Sequence, residues 1–176
     1  ALVVRLNDGG PAFFTQERVG LDGRTFTMFK FRTMRVDAEA LKASLQEANE
    51  ADASAGNSIM FKIANDPRIT RVGAFLRKTS IDELPQLFNV LRGDMSLVGP
   101  RPPLPSEVAQ YEPRVMGKFA VRPGITGLWQ ISGRSNLSWD ETVHLDLSYA
   151  QHRSLTLDAW IILQTIPALL RHEGAY

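Results

Sequence analysis

The stretch from residue 80 to residue 91 constrains the fold more than any other part of this sequence. Its large apolar residues recur at positions i, i+3, i+4 and i+7, namely Leu84, Leu87, Phe88 and Leu91. This spacing predicts an amphipathic helix whose apolar stripe is buried. Ser80 and Glu83 have the spacing of a capping box, whereas Pro85 offers a second start at the first helical position. With either start, the adjacent carboxylates of Asp82 and Glu83 lie at a helix N-terminus.

This acidic pair has two interpretations. A helix N-terminus favours anions, because its free N–H groups and its positive dipole end stabilise negative charge. Adjacent side chains point about 100° apart around a helix, so one carboxylate can face a reacting phosphorus while the other binds a metal. Acidic residues also occur in first turns for the dipole alone. The pair by itself does not decide between chemistry and helix stabilisation.

Composition places the chain among single-domain globular proteins. It has 176 residues, of which 44% are hydrophobic and 22% charged, with no sign of disorder. The absence of cysteine excludes disulfides, thiolate catalysis and cysteine-bound metals, and the three histidines lack the spacing of a zinc site. A net charge of +1 without interleaved basic and aromatic residues argues against a nucleic-acid partner.

The first third of the chain predicts a hairpin followed by a helix. Residues 12 to 32 alternate in polarity around the pair Asp22 and Gly23, which is typical of a β-hairpin. Residues 37 to 50 are strong helix formers with few large apolar side chains, so we expect an exposed helix. Residues 51 to 58 are small and predict a mobile loop.

Helices dominate the rest of the sequence. A short helix is expected after Pro67, with inward residues (Val72, Phe75 and Leu76) and outward residues (Arg71, Arg77 and Lys78). Residues 106 to 119 predict a bent helix or helix pair, and Ser138 to Glu141 form a second capping box. Residues 157 to 171 are apolar on most sides but shorter than the roughly 20 residues that span a bilayer. This last helix is a core helix, a partner interface or an interfacial membrane helix. We therefore predict a small, mainly helical α+β domain with an N-terminal β-hairpin and amphipathic helices.

Basic residues cluster around the acidic pair and in loops rich in glycine and proline. The five candidates for binding phosphate are Lys30, Arg32, Arg77, Arg101 and Arg134. Arg101 stands between two prolines, and a preorganised guanidinium suits bidentate binding of a phosphate. Each of these residues has a plainer interpretation as a solvated charge or as a donor to local carbonyl groups.

Four stretches resemble one protein family, in the family's order. They are G-P-A-F-F-T-Q-E-R-V-G (10 to 20), K-F-R-T-M (30 to 34), N-D-P-R-I-T-R-V-G-A-F-L-R-K-T-S-I-D-E-L-P-Q-L-F-N-V-L-R-G-D-M-S-L-V-G-P-R-P (65 to 102) and V-R-P-G-I-T-G-L-W-Q-I-S-G-R (121 to 134). The family resembled is the bacterial sugar transferases, or monotopic phosphoglycosyl transferases, also called polyprenyl-phosphate hexose-1-phosphate transferases. The resemblance covers nearly the whole chain.

The resemblance implies a reaction and a site. Members transfer a sugar 1-phosphate from a UDP-sugar to polyprenyl phosphate, usually undecaprenyl phosphate, and release UMP. The family's nucleophile, which forms a phosphosugar-aspartyl intermediate, falls on Asp82, and the residue that assists at Mg²⁺ falls on Glu83; both are candidate metal ligands. The five cations named above become candidate phosphate ligands. Such a reaction would initiate assembly of an exopolysaccharide, capsule, O-antigen or glycoconjugate in a bacterium.

The resemblance also implies a membrane setting. Members begin with a re-entrant membrane helix, and this chain starts about where that helix would end. We therefore expect residues 1–176 to form the catalytic domain of a longer, monotopic membrane protein at the cytoplasmic face of the bacterial inner membrane. Residues 157 to 171, with Trp129 and Trp139, would contribute to the membrane-facing surface. The sequence leaves a homodimer open.

Two other functions compete with this one. A magnesium-dependent nucleotide-sugar pyrophosphatase would use the same acidic pair with water as the acceptor. A non-catalytic membrane-surface module would keep the framework without the reaction. The sequence does not indicate which UDP-sugar is used or which glycan pathway is served.

Overall fold

The computed structural model describes residues 1–42, 66–133 and 137–171, and it confirms a mainly helical α+β domain. Its helices are α1 (Leu2–Asp8), α2 (Ala38–Lys42), α3 (Arg71–Lys78), α4 (Gln86–Arg92), α5 (Pro105–Val108), α6 (Leu128–Ile131), α7 (Trp139–His152) and α8 (Leu155–Arg171). Its strands are β1 (Phe13–Val19), β2 (Thr25–Phe31), β3 (Ser96–Val98) and β4 (Gly124–Thr126). The loop expected at 51 to 58 and most of the helix expected at 37 to 50 lie outside the described residues.

The predicted hairpin is confirmed. Strands β1 and β2 pair antiparallel, with Phe13 opposite Phe31 and Val19 opposite Thr25. The turn between them is a 3₁₀ turn in which Asp22 has φ 55° and Gly23 has φ 73°. Aspartate and glycine tolerate this left-handed backbone better than most residues, so the sequence signal for the turn has a direct physical cause.

A second pair of strands was not predicted from the sequence. Strands β3 and β4 run parallel, with Ser96 opposite Gly124. Strands of three residues are too short to show alternation, and the neighbouring prolines indicated an irregular segment. The backbones approach so closely that a Cβ on Gly124 would lie 2.1 Å from the Gly99 nitrogen. The pairing therefore depends on glycine.

The helices α7 and α8 enclose the main apolar cluster. Val98, Val121, Tyr149 and Ile161 are buried together, and the Tyr149 hydroxyl lies 3.1 Å from the Val98 carbonyl oxygen. The capping box predicted at the start of α7 is confirmed, because the Glu141 amide donates to Ser138 Oγ and Glu141 Oε2 accepts from the Ser138 amide.

The last helix begins at Leu155, two residues before the predicted start, and exposes most of its apolar side chains. Ile161 is fully buried, whereas Leu155, Trp160, Leu163, Ile166 and Leu170 are exposed. In the part of the chain that the structure describes, no helix combines the length and apolar character needed to cross a membrane.

The two tryptophans predicted to lie at a membrane-facing surface have other surroundings. Trp139 packs against Tyr111 with ring centroids 5.1 Å apart, and the Trp129 indole nitrogen is buried.

The helix α4 exposes the apolar side that the sequence predicted to be buried. The four apolar residues expected to be buried are instead 54%, 44%, 62% and 83% exposed at Leu84, Leu87, Phe88 and Leu91. The polar residues Gln86 and Asn89 are the buried ones. The reason is the partner of α4, which is a strand edge rather than an apolar surface. Asn89 Oδ1 accepts from the Phe29 amide at 3.1 Å, and Asn89 Nδ2 donates to the Thr27 carbonyl at 2.7 Å.

The helix α3 also departs from its predicted orientation. It begins at Arg71, after Thr70 Oγ1 accepts from the Gly73 amide at 2.9 Å. Phe75 is 60% exposed rather than inward. Arg77 is half-buried rather than outward. Gly73 is the buried residue of α3, and a Cβ there would lie 1.8 Å from the Thr33 carbonyl oxygen. A glycine contact of this kind leaves no trace in apolar periodicity.

Substitution of Asn89 by alanine is expected to destabilise the domain by about 2–4 kcal/mol. The change removes a fully buried side chain and leaves the part-buried Phe29 amide and Thr27 carbonyl without the partners that Asn89 supplies, and polar groups left unpaired away from water carry a desolvation cost. Urea unfolding followed by circular dichroism measures the effect. Gln110→Ala is the control, because the Gln110 side chain bonds Ser106 on the surface and its loss should change the unfolding free energy by less than about 0.5 kcal/mol. An Asn89→Ala variant as stable as this control would contradict the assignment.

Candidate active site

The acidic pair lies in a 3₁₀ turn, Ile81–Glu83, that leads into α4. The capping box predicted at Ser80 is wrong, because Ser80 makes no side-chain cap bond and adopts a left-handed backbone with φ 54°. The alternative start is one residue off, because Pro85 is the N-cap of α4 and Gln86 its first residue, but the acidic pair does lie in the lead-in turn as that alternative predicted. A left-handed serine costs on the order of 1 kcal/mol. This strained residue therefore turns the chain sharply immediately before the two carboxylates.

Asp82 is the buried member of the pair. Its exposed fraction is 7%. Burial raises the pKa of Asp82 to about 6, and the neighbouring Glu83 charge adds to the rise, while Lys30 and Arg77 oppose it. Among the described residues no cation forms a salt bridge with Asp82. Its carboxylate is therefore held close to positive charge without being neutralised by a direct ion pair.

Glu83 and two predicted cations surround that carboxylate. Lys30 Nζ, at the end of β2, lies 2.8 Å from Glu83 Oε1. Arg77 Nε donates to Thr33 Oγ1 at 2.9 Å, and burial lowers the pKa of Arg77 although the Asp82 charge raises it. The structure thus places two of the five predicted cations, Lys30 and Arg77, near the acidic pair, and their binding of phosphate stays a prediction.

Arg101 belongs to a second, adjoining group. Its guanidinium forms a bidentate salt bridge with Glu107, with distances of 3.1 Å from Nη1 to Oε2 and 3.3 Å from Nη2 to Oε1. Glu107 is buried and also accepts from the Leu104 amide at 2.7 Å. The sequence did not identify Arg18 of β1, whose Nη1 donates to the Pro102 carbonyl at 2.9 Å. The signals for it were a basic residue inside a predicted strand and its place in the family-like stretch of residues 10 to 20.

The remaining predicted cations lie elsewhere or are not described. Arg32 is buried, and it donates from Nε to the Pro11 carbonyl at 2.6 Å and from Nη1 to the Met34 carbonyl at 3.0 Å. These bonds join the linker between α1 and β1 to the segment that follows β2, and anion binding by Arg32 stays a prediction. Arg134 lies outside the described residues, and its role also stays a prediction.

The donor set at the acidic pair fits a small hard cation. Mg²⁺ is commonly bound by one or two carboxylates, with the remaining positions filled by phosphate oxygens and water. Glu83 and Asp82 supply such carboxylates, although the Glu83 oxygen nearest Lys30 already accepts from that amine. No group of three acidic, histidine or cysteine residues suited to a metal occurs within residues 1–42, 66–133 and 137–171. Any metal ion bound here would therefore need further ligands from a bound substrate or from water.

Comparison with known proteins identifies one family. The model of the family described as bacterial sugar transferase matches residues 1–172. The galactosyl transferase CpsE of Streptococcus agalactiae serotype III is 52% identical over 169 residues, covering 96% of this chain and 36% of CpsE. The undecaprenyl-phosphate galactose phosphotransferase of Salmonella typhimurium is 49% identical over 170 residues, covering 96% of this chain and 35% of that protein.

A third relative is shorter. The exopolysaccharide production protein ExoY of Rhizobium meliloti is 43% identical over 174 residues, which cover 99% of this chain and 76% of ExoY. The chain spans about a third of the length of CpsE and of the Salmonella protein. The shared part therefore makes up most of ExoY and a minority of the two longer proteins.

Substitution of Asp82 by asparagine is expected to stabilise the metal-free protein at pH 8. The pKa of Asp82 is about 6 in the folded state and near 3.9 in an unfolded chain, so above pH 6 folding buries an ionised carboxylate. The gain should be on the order of 2 kcal/mol at pH 8 and should disappear as the pH falls through 6 towards 4. Urea unfolding at pH 8 and pH 4.5 with a chelator measures it. Asp22→Asn, in the exposed hairpin turn, is the control and should show no such dependence; a pH-independent effect at position 82 would contradict the burial argument.

Proposed function

This chain belongs to the bacterial sugar transferase family, and we propose that it transfers a sugar 1-phosphate from a UDP-sugar to undecaprenyl phosphate with release of UMP. The name of the Salmonella relative supports the acceptor and the phosphoryl chemistry, and the name of ExoY supports a role in exopolysaccharide production. Galactose occurs in the names of CpsE and the Salmonella protein, so UDP-galactose is the first donor to test. The observation that carries the proposal is the buried Asp82 carboxylate among Lys30, Arg77 and Glu83.

The proposed reaction has two displacements at one phosphorus atom. An Asp82 oxygen forms a bond to the phosphorus that bears the sugar, and the bond from that phosphorus to the UMP oxygen breaks. An oxygen of undecaprenyl phosphate then attacks the same phosphorus, and the bond to Asp82 breaks. Lys30, Arg77 and Arg101 would lower the repulsion between the carboxylate, the diphosphate and the incoming lipid phosphate.

The environment of Asp82 suits a nucleophile. A pKa of about 6 leaves most of the side chain ionised at pH 7 to 8, while burial deprives the carboxylate of the water that would stabilise it. We propose that Glu83 and Asp82 hold Mg²⁺ when the donor is bound. The ion would neutralise charge on the diphosphate and on the leaving UMP.

The exposed apolar surfaces support a membrane-bound enzyme, and we propose that α4 lies in the membrane interface. Its apolar residues project outward while Asn89 fixes its polar side to β2. A helix that exposes a row of large apolar side chains is typical of a binding face. The helix α8 supplies a second exposed apolar surface. The proposed location is the cytoplasmic face of the bacterial inner membrane.

Substitution of Asp82 by asparagine is expected to abolish catalysis. In the full-length protein, incubation with UDP-galactose labelled in its sugar should yield no covalent adduct, and UMP release should fall by at least about 10³-fold because the nucleophile is lost. Asp22→Asn is the control and should retain both. Adduct formation by the Asp82 variant would remove this residue from the proposed role. Release of free sugar phosphate from the wild-type protein without lipid acceptor would favour the pyrophosphatase.

Replacement of Phe88 and Leu91 by glutamine is expected to weaken membrane binding. Each side chain should contribute on the order of 1 kcal/mol when buried in the interface, so the double variant of the 176-residue chain should partition into anionic phospholipid vesicles roughly 30-fold less. Vesicle flotation measures the partition. Met116→Gln is the control, since Met116 is 45% exposed on a different element. Equal flotation of both variants would show that α4 does not contact the lipid. The melting temperature should change little, because these side chains are already exposed.

A further inference from the structure

Arg18 is held at the junction between the hairpin and the proline-rich turn that carries Arg101. Its Nη1 donates to the Pro102 carbonyl at 2.9 Å, and its Nη2 donates to Gln16 Oε1 at 2.6 Å. The next residue of β1 repeats the contact, because the Val19 amide donates to the Pro103 carbonyl at 2.9 Å. The guanidinium therefore has a fixed place and a fixed orientation.

No carboxylate among the described residues forms a salt bridge with Arg18. Its two acceptors are a carbonyl oxygen and an amide oxygen, which are both neutral. The neighbouring Arg101, in contrast, is paired with Glu107. Burial and the charge of Arg101 lower the pKa of Arg18 to about 10, while Glu107, Glu83 and Tyr111 act in the opposite direction. The charge of Glu107 thus acts on both guanidinium groups, but its salt bridge is with Arg101.

One donor of Arg18 also lacks an acceptor. The Nε atom is buried and has no hydrogen-bond partner among the described residues. A buried donor without an acceptor typically costs about 1–3 kcal/mol. An anion in front of the guanidinium would supply both the missing acceptor and the missing negative charge. The electrostatic effect of Glu83 on Arg18 shows that this position is near the acidic pair.

We propose that Arg18 binds a phosphate oxygen of a substrate, together with Arg101, as a second guanidinium of the active site. This inference deepens the proposed function and rests on it. A phosphate spans two arginines well, because each guanidinium presents parallel N–H donors that match its oxygens. The phosphate belongs either to the diphosphate of the nucleotide sugar or to the lipid acceptor, and the two sources are separable by experiment.

The test compares Arg18→Gln and Arg18→Lys in the full-length protein with Arg24→Gln, an exposed arginine at the hairpin turn. KM is measured for UDP-galactose and, separately, for undecaprenyl phosphate, with UMP release as the signal. Arg18→Gln should raise one KM by about 10- to 100-fold with kcat within about threefold, because a hydrogen bond to a charged group is lost in ground and transition states alike. Arg18→Lys should raise the same KM less, since lysine keeps the positive charge but lacks the parallel N–H donors of the guanidinium. The affected KM identifies the source of the phosphate.

Two outcomes would overturn the inference. One is that both KM values stay within twofold of wild type. The other is a fall in kcat with both KM values unchanged, because Arg18 would then act only by positioning the Arg101 turn. If Arg18→Gln does not fold, Arg18→Lys decides, with a KM at least threefold higher in support and an unchanged KM against.

Binding of UDP and of uridine to the same full-length proteins, followed by calorimetry, separates this inference from the proposed function. If the nucleotide diphosphate is the ligand, Arg18→Gln should weaken UDP binding at least tenfold and leave uridine binding unchanged. If the lipid is the ligand, both nucleotide affinities stay as in wild type and only the lipid KM rises. Transfer activity of the wild-type protein with no response of either KM to Arg18 would leave the proposed function intact and refute this inference.

Discussion

The amide side chain of Asn89 is the contact on which the arrangement of the site depends. It accepts from the Phe29 amide and donates to the Thr27 carbonyl, so it takes the place that a neighbouring strand would occupy along β2. Its own carbonyl accepts from the Asp94 amide at 3.0 Å and so closes the turn after α4. Because Lys30 follows Phe29 and α4 follows the acidic pair, this one residue sets the distance between Lys30 and Glu83. It also turns the apolar side of α4 outward.

The site separates the two carboxylates by environment although they are adjacent in sequence. Glu83 faces Lys30 across 2.8 Å and keeps partial contact with solvent. Asp82 is buried and has a raised pKa, so its charge is costly in the folded protein. Adjacent acidic groups that lie in different environments commonly have different roles in catalysis. A buried, poorly solvated carboxylate has more to gain from forming a bond to phosphorus than an exposed one, and the nearby cations keep it ionised at neutral pH.

Local chemistry in the sequence predicted local structure well. The Asp22–Gly23 turn, the capping box at Ser138 and the apolar helix near the C-terminus are all confirmed, because each depends on residues a few positions apart. The orientation of α4 was not predictable in the same way. Periodicity shows which residues share a face, but the buried face is chosen by the partner, and here the partner is the edge of β2. The contact of Arg18 with Pro102 likewise joins segments that lie 84 positions apart in the sequence.

The exposed apolar side of α4 affects how the phosphate of a lipid could reach the buried Asp82. Leu84 directly follows Glu83 and is 54% exposed, so the apolar face begins two residues after Asp82, which is less than about 7 Å along the backbone. On the proposed function, the acceptor can keep its hydrocarbon chain at the level of that face while its phosphate enters among Lys30, Arg77 and the arginines of the proline-rich turn. A helix with its apolar side buried would separate these two environments by its own diameter, roughly 10 Å. On that proposal, the polar anchoring of α4 places the exposed apolar side of the helix and the Asp82 carboxylate within reach of one amphiphilic substrate.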